Sequence, residues 1–230
     1  MQYYPASLDL RGKPCVVVGG GAIAERKVAT LLAAGARITV VSPTLTATLA
    51  ALAETHQIVH HGRPYRRGDL GGAWLAYAAT GDDAVHADIA AEAAEARVFV
   101  NVVDRPRLCG FVVPAVVNRG TVSIAVSTGG ASPALAKRLA RELAGLVGSE
   151  WGVAARVLGA LRGRLATRDA ATRARIFSML ADTPLLAAIR GGDRTRVEAL
   201  LSEHVGVATT LAELGLTLAA AAPDHGTPAP

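Results

Sequence analysis

Aromatic side chains make up only 4% of the 230 residues. That scarcity argues against single-stranded nucleic acid as a partner, because such binding relies on bases stacking on aromatic platforms. Cysteine is scarcer still: Cys15 and Cys109 are the two, with no CxxC spacing. This excludes a cysteine-built zinc site and suggests a reducing compartment. Like charges are not blocked together. The net charge is +5, yet no run of about five like charges occurs, and RPYRR over 63–67 is the densest basic stretch. A diffuse positive balance fits a polyanionic small molecule better than a nucleic-acid groove, although an ordinary basic surface accounts for it equally well. The N-terminal MQYYPASLDLRGK lacks a charged region leading into an apolar core, so no secretory signal is expected. No apolar run reaches the roughly 18 residues that a membrane span needs. The expectation is a cytoplasmic protein without a membrane or nucleic-acid partner.

What is present is a composition 51% hydrophobic and 19% charged, enough to fill a core. Short β-branched runs alternate with longer helical ones. PCVVVG (14–19), RITVVSP (37–43), QIVHHG (57–62), AWLAYAAT (73–80) and RVFVNVVD (97–104) read as strands. AIAERKVATLLAAG (22–35), TLTATLAALAET (44–55) and DDAVHADIAAEAAEA (82–96) read as helices. Strand–helix alternation at these lengths indicates an α/β fold, a Rossmann-like doubly wound parallel sheet. After Gly110 the character changes. FVVPAVVNRGTVSIAVST contains two β-runs joined at Asn118-Arg119-Gly120 as a hairpin, and the helix that follows starts with Ser132 as N-cap and Pro133 in its first turn. From Glu150 the pattern is helical only, punctuated by Thr167 or Asp169, Asp182 or Thr183, and Asp193 as caps. The expected division is a dinucleotide-binding domain over 1–111, a small α+β dimerisation segment over 112–149, a helical region over 150–222 and a disordered tail over 223–230.

The stretch VVVGGGAIAERK places Gly19, Gly21 and Ala24 in a G-x-G-x-x-A pattern between a strand and a helix. The first glycine permits a tight turn, the second lets a pyrophosphate approach the backbone, and the small third residue lets helix and sheet pack closely. A tight turn without a ligand is the plainer alternative. An acid that would hold the ribose hydroxyls normally follows about 20 residues later. Ser42 takes that place, so the sequence alone leaves NAD and NADP both open.

Four stretches together resemble the precorrin-2 dehydrogenase/sirohydrochlorin ferrochelatase family, the N-terminal part of multifunctional sirohaem synthases. They are VVVGGGAIAERK, LAYAATGDD, NVVDRPRLCGFVVPAVVNRG and SIAVSTGGASPALAKRLAREL. The match is close over roughly residues 1–150 and loose over the helical tail, and no methyltransferase domain follows, so the chain looks like a stand-alone form. The resemblance implies NAD-dependent oxidation of precorrin-2 to sirohydrochlorin, with insertion of Fe²⁺ as a second activity in some members. It also implies a homodimer sharing its central segment, and a carboxylate-rich tetrapyrrole substrate that would give RPYRR a purpose. Cofactor contacts are expected at Gly19, Gly20, Gly21, Ala22 and Ile23, and at Ser42, Pro43 and Thr44 after the second strand. Further contacts are expected at Ala79 and Thr80, and at Asn101 and Val102. Substrate contacts are expected at Ser127, Thr128, Gly129 and Gly130.

Asp104 ends an otherwise apolar strand, and ligands of open parallel sheets sit beyond the carboxyl ends of strands. The resemblance matches it to the carboxylate implicated in dehydrogenation and in metal insertion, so it is expected both to act catalytically and to meet the metal. A carboxylate there can take a proton or stabilise positive charge as hydride leaves. The alternative is an Asx turn before Arg105-Pro106. His60 and His61 would point to opposite sheet faces, and His86, His204 and His225 read as surface residues. Cys109 could approach the site or serve as a structural thiol. The STGGASP loop could bind anions at a helix N-terminus or be an architectural turn. Glu25-Arg26-Lys27 could lie near phosphates or simply be helix-surface charges. The competing function is an NAD(H)-sensing regulatory module without catalysis, which would not require Asp104 paired with STGGASP.

Overall fold

The computed structural model describes residues 3–182 and 184–218. The disordered-tail expectation, His225 and the Thr183 cap lie outside them. The chain forms two compact units, the first ending at Val113 and the second beginning at Pro114.

The first unit is a parallel five-stranded sheet. Its elements are β1 (Pro14–Val18), α1 (Ala22–Ala33), β2 (Arg37–Val41), α2 (Ala47–Glu54), β3 (Val59–His61), β4 (Leu75–Ala78), α3 (Asp83–Ala96) and β5 (Phe99–Val102), followed by a 3-10 turn, Pro106–Leu108. The strand order is β3-β2-β1-β4-β5, all parallel, with Val18 level with Val41 on one side and with Ala78 on the other. The continuous apolar run of β1 follows from burial on both faces. Cys15 and Val17 join one apolar cluster with α1 and α2, while Val16 and Val18 join the other with α3. Each fully buried valine contributes about 1.5–3 kcal/mol. Because β2 and β3 lie on one side of β1 and β4 and β5 on the other, the winding reverses between β1 and β4. Such a reversal leaves a crevice at the carboxyl edge of the sheet.

The structure shortens the expected strands to Val59–His61, Leu75–Ala78 and Phe99–Val102, so Asp104 does not end β5 but stands two residues past it in a turn, and two helix boundaries also move. Arg97 belongs to no strand: it adopts the left-handed conformation, φ 57°, and is the C-cap of α3, a position that ends many helices. Thr44 and Leu45 do not begin α2. The N-cap is Thr46, whose hydroxyl accepts the Leu49 N–H at 3.3 Å, the use of threonine that stabilises a helix start.

The second unit contains a hairpin, β6 (Ala115–Arg119) and β7 (Val122–Val126), then α4 (Pro133–Leu146), α5 (Glu150–Arg164), α6 (Ala170–Asp182), α7 (Leu185–Arg190) and α8 (Arg194–Val205). Asn118 and Arg119 are strand residues, and the turn is made by Gly120 and Thr121. Arg119 reaches the carboxyl end of α4, donating to the carbonyls of Ala144 and Val147, each at 2.7 Å. It thereby satisfies acceptors that a helix end leaves bare. A small apolar cluster of Val117, Val126, Ala136 and Ala140 joins hairpin to α4, and a larger one joins α5 through α8. Among the described residues no helix is long and apolar enough to cross a membrane.

Candidate active site at the carboxyl edge of the sheet

Three loops converge where β1, β2 and β4 end. Gly19 carries φ +121°, and a β-carbon there would meet the Ala79 carbonyl oxygen at 2.3 Å, so only glycine lets the first loop pass the end of β4. Gly20 is closed in from the other side by Thr44, and the Thr46 N–H donates to the Gly20 carbonyl at 2.9 Å. The Thr46 hydroxyl donates to Glu25 at 2.5 Å, which ties the second loop to the first turn of α1. Gly21 differs from both neighbours. A β-carbon on it would meet nothing within 4 Å, and as N-cap of α1 it supplies no side-chain hydrogen bond.

This geometry fits a dinucleotide. The N-terminal amides of α1 are uncapped by any side chain and carry the positive end of the helix dipole. Gly21, Ala22 and Ile23 are exposed while Ala24 is fully buried against the sheet. An anion can therefore approach the backbone of the first three, and Ala24 fills the packing position.

The other expected contacts divide. Ala79 and Thr80 sit beside Gly19 and are half-buried. Pro43 and Thr44 are exposed on the second loop. Ser42 is 6% exposed and its hydroxyl donates to the Thr44 carbonyl at 2.7 Å, so it shapes the loop and retains only acceptor capacity. His60 Nε2 lies 2.9 Å from the Ser42 carbonyl oxygen, a further tie on the same turn. Asn101 uses its amide within the chain, donating to the Phe111 carbonyl at 3.0 Å. Val102 is buried on β5, its N–H donating to the Cys109 sulfur at 3.3 Å. Cys109 is held in turn by the carbonyls of Val102 and Arg105, and partial burial pushes its thiol pKa up. A raised pKa disfavours the reactive thiolate, so Cys109 has the structural role.

Asp104 lies one strand beyond the crevice, exposed, with φ 57°. Non-glycine residues enter this left-handed region uncommonly. The Asx turn is not formed: Pro106 offers no N–H, and among the described residues no donor is hydrogen-bonded to the Asp104 carboxylate. Arg105 fixes the backbone instead. Its guanidinium donates to the Asp104 carbonyl at 3.2 Å and to both oxygens of Asp83 at 2.7 and 2.9 Å. Asp83 stands in the first turn of α3, whose N-cap is Asp82, and the Arg105 guanidinium holds its carboxyl below the usual aspartate range. The loop after β5 is thus braced to the helix that follows β4.

Several expectations need correction. Of the three arginines of RPYRR, two are paired within the chain, and Arg66 is the one whose guanidinium has no acidic partner among the described residues. Arg63 pairs with Asp69 at 2.6 Å, Arg67 pairs with Glu95, and the Tyr65 hydroxyl donates to Glu92. Glu92 and Glu95 lie near the end of α3, toward the opposite edge of the sheet. His86 is not a surface residue: it is 5% exposed. His204 is half-buried, its Nδ1 2.9 Å from the Leu200 carbonyl oxygen. Lys27 lies over the Tyr77 ring, 5.4 Å from its centroid, and Glu25 is bound to Thr46. Thr46 and the Asp83–Arg105 brace escape a reading of the sequence. The cap rule could have found Thr46, but a pair separated by 22 positions leaves no local signal.

In the second unit, Thr128 Oγ1 accepts the Ser132 N–H at 3.0 Å and donates to the Ser132 carbonyl at 3.1 Å. Ser127 accepts the Gly129 N–H at 3.2 Å, and Ser132 caps α4. Gly130 is exposed with open space around it. Among the described residues no cluster of three or more His, Cys, Asp or Glu side chains is placed to hold a metal ion.

A dinucleotide-binding α/β protein is what this fold and this edge define. Residues 6–115 match the family described as putative NAD(P)-binding, and residues 119–146 match the family described as sirohaem biosynthesis protein central. Over these two segments the chain is similar to the precorrin-2 dehydrogenase/sirohydrochlorin ferrochelatase family. It is 42% identical over 175 residues to a siroheme synthase of Methylococcus capsulatus, covering 76% of this chain and 37% of that one. It is 36% identical over 194 residues to a siroheme synthase of Thioalkalivibrio sulfidiphilus, covering 84% of this chain and 40% of that one. The chain therefore spans about two fifths or less of the length of these relatives. Among solved structures it superposes on SirC, precorrin-2 dehydrogenase, with a TM-score of 0.74 and 25% identity, over 89% of this chain and all of that one.

Proposed function

We propose that the protein oxidises precorrin-2 to sirohydrochlorin with NAD, giving NADH and a proton. The observation that carries this reading is the open, uncapped glycine loop after β1, at the same carboxyl edge of the sheet as the Asp104 carboxylate, to which no described group donates a hydrogen bond. When bound, NAD supplies the hydride acceptor. The chain supplies the rest: the amides of Gly21, Ala22 and Ile23 hold the pyrophosphate, and the loops at Thr44 and Ala79–Thr80 flank it. The Asp104 carboxylate takes the proton released as the hydride departs and stabilises the developing positive charge. Ser127, Thr128, Gly129 and Gly130 receive anionic substituents of the tetrapyrrole.

Insertion of Fe²⁺, as substrate, is the slower second activity. It needs two pyrrole protons displaced, and Asp104 is the acceptor this reading assigns and the group that meets the metal. The working form is a cytoplasmic homodimer. The amphipathic α4 supports the dimer, leaving Leu135, Leu139 and Leu146 exposed by 57, 43 and 76%. The division into 1–111, 112–149 and 150–222 goes with it, the central segment serving association. Incubation with precorrin-2 and NAD, read as NADH absorbance and sirohydrochlorin formation, tests the reading. NAD binding without turnover would leave the sensor function in its place.

A further inference from the structure

His86 is a buried polar group that the proposed chemistry leaves unused. It lies on the inward face of α3 with Ile89 and Ala93, and neither ring nitrogen has a hydrogen-bond partner. Burying an imidazole unpaired costs free energy, and a state in which the ring gains a partner relieves that cost. One turn back on the same helix, Asp83 Oδ1 lies 3.6 Å from His86 Nδ1. That distance is too long for a good hydrogen bond and short enough for a charge interaction. The same carboxylate carries Arg105, and Arg105 holds the Asp104 carbonyl.

We infer that His86 is a positioning residue which, through Asp83 and Arg105, sets the loop that presents Asp104. A neutral ring leaves both Asp83 oxygens to Arg105. A protonated ring competes for Oδ1 and weakens the brace. Imidazole is the side chain whose charge ordinarily changes between about pH 5 and 8, so the brace loosens toward acid. Asp82 and Asp83 share the first turn of α3, and Arg105, Arg107 and the Cys109 thiol belong to the 3-10 turn and its flanks. Tyr65 enters the same core, while β4 and β5 turn Ala76, Ala78, Val100 and Val102 to this face. Asp83 is the carboxylate the structure pairs with the ring. A catalytic meaning for the brace rests on the proposed role of Asp104; the mechanical coupling does not.

NMR of the full chain tests the coupling, following the His86 ring and the backbone amides of Val103 and Arg105 across pH. The Arg105 N–H donates to the Val102 carbonyl at 3.2 Å and reports the loop directly. We expect these amides to titrate in step with the His86 ring. Protection of the Arg105 amide, corrected for intrinsic exchange, should fall about tenfold toward acid, the loss of one charge-assisted hydrogen bond. H86Q should hold the brace at every pH. D83N, an exposed change that leaves the core intact, should release it at every pH, and both should abolish the titration. Loop amides that stay flat through the ring titration, or that still titrate in D83N, would overturn the inference. Activity is a separate arm: in H86Q kcat should no longer follow the loop transition and should keep only the fall that comes from protonating Asp104 itself, while KM for NAD is unchanged. Coupled amides without turnover in any form would refute the proposed oxidation and leave the brace standing.

Discussion

A β-carbon on Gly20 would sit 1.9 Å from the carbonyl oxygen of Thr44. Neither group can retreat easily, because the Thr46 N–H is hydrogen-bonded back to the Gly20 carbonyl. Gly20→Ala should force the two loops apart, lowering stability by about 1–3 kcal/mol and weakening NAD binding. Gly21→Ala meets open space, so stability should change by only about 0.5 kcal/mol. Its methyl group would nevertheless stand at the proposed pyrophosphate site. Denaturant unfolding and NAD titration of both variants check this; a Gly21→Ala protein binding NAD normally would remove the phosphate site from the loop.

Asp104→Asn keeps size and hydrogen-bonding capacity but removes the charge and the proton acceptor. Precorrin-2 oxidation should slow by roughly 10²–10⁴, with NAD affinity and unfolding midpoint little changed, and Fe²⁺ insertion should be lost with it. A wild-type rate in this variant would return Asp104 to the role of a loop residue.

NAD should be preferred over NADP. No arginine follows β2 to receive a 2′-phosphate, and the Ser42 hydroxyl is committed to the Thr44 carbonyl. Comparing kcat/KM for the two cofactors decides the matter, equal values counting against the preference.

Light scattering at micromolar concentration should find a dimer. Leu139→Glu places a charge on the exposed apolar face of α4 and should yield a folded monomer. A wild-type chain that is monomeric at that concentration would show that this face has another use.

Glu150 is 6% exposed and paired with Arg190 at 2.6 Å, and that guanidinium holds its carboxyl below the ordinary glutamate range. A depressed folded-state pKa stabilises the fold above the unfolded value and loses that contribution as pH falls through the folded one. Arg190→Met should therefore cost about 1 kcal/mol near neutrality, a small figure because Arg190 is largely exposed and solvent screens the pair. The difference from wild type should vanish in acid, below the glutamate range. Thermal unfolding as a function of pH reads it, and a difference independent of pH would point to lost packing.

Local patterns in the sequence determined the alternation of strands and helices, the glycine loop and the placing of Asp104 close after a strand, although that strand stops at Val102. Burial on both faces imposes a continuous apolar run on β1, and a helix imposes its own period on α3, so both are written in neighbouring residues. Only the tertiary structure decided what those residues meet. Asp83 and Arg105 are 22 positions apart, and Arg63 and Arg67 are neutralised by acids that no local pattern links to them. His86 shares the buried spacing of Ile89 and Ala93 and has Asp83 as its i,i+3 helix neighbour, yet the pair has no meaning until Arg105 is found on the same carboxylate. Pairing across a fold depends on how strands are ordered and loops cross, and in a single chain that order is expressed only once the sheet is assembled.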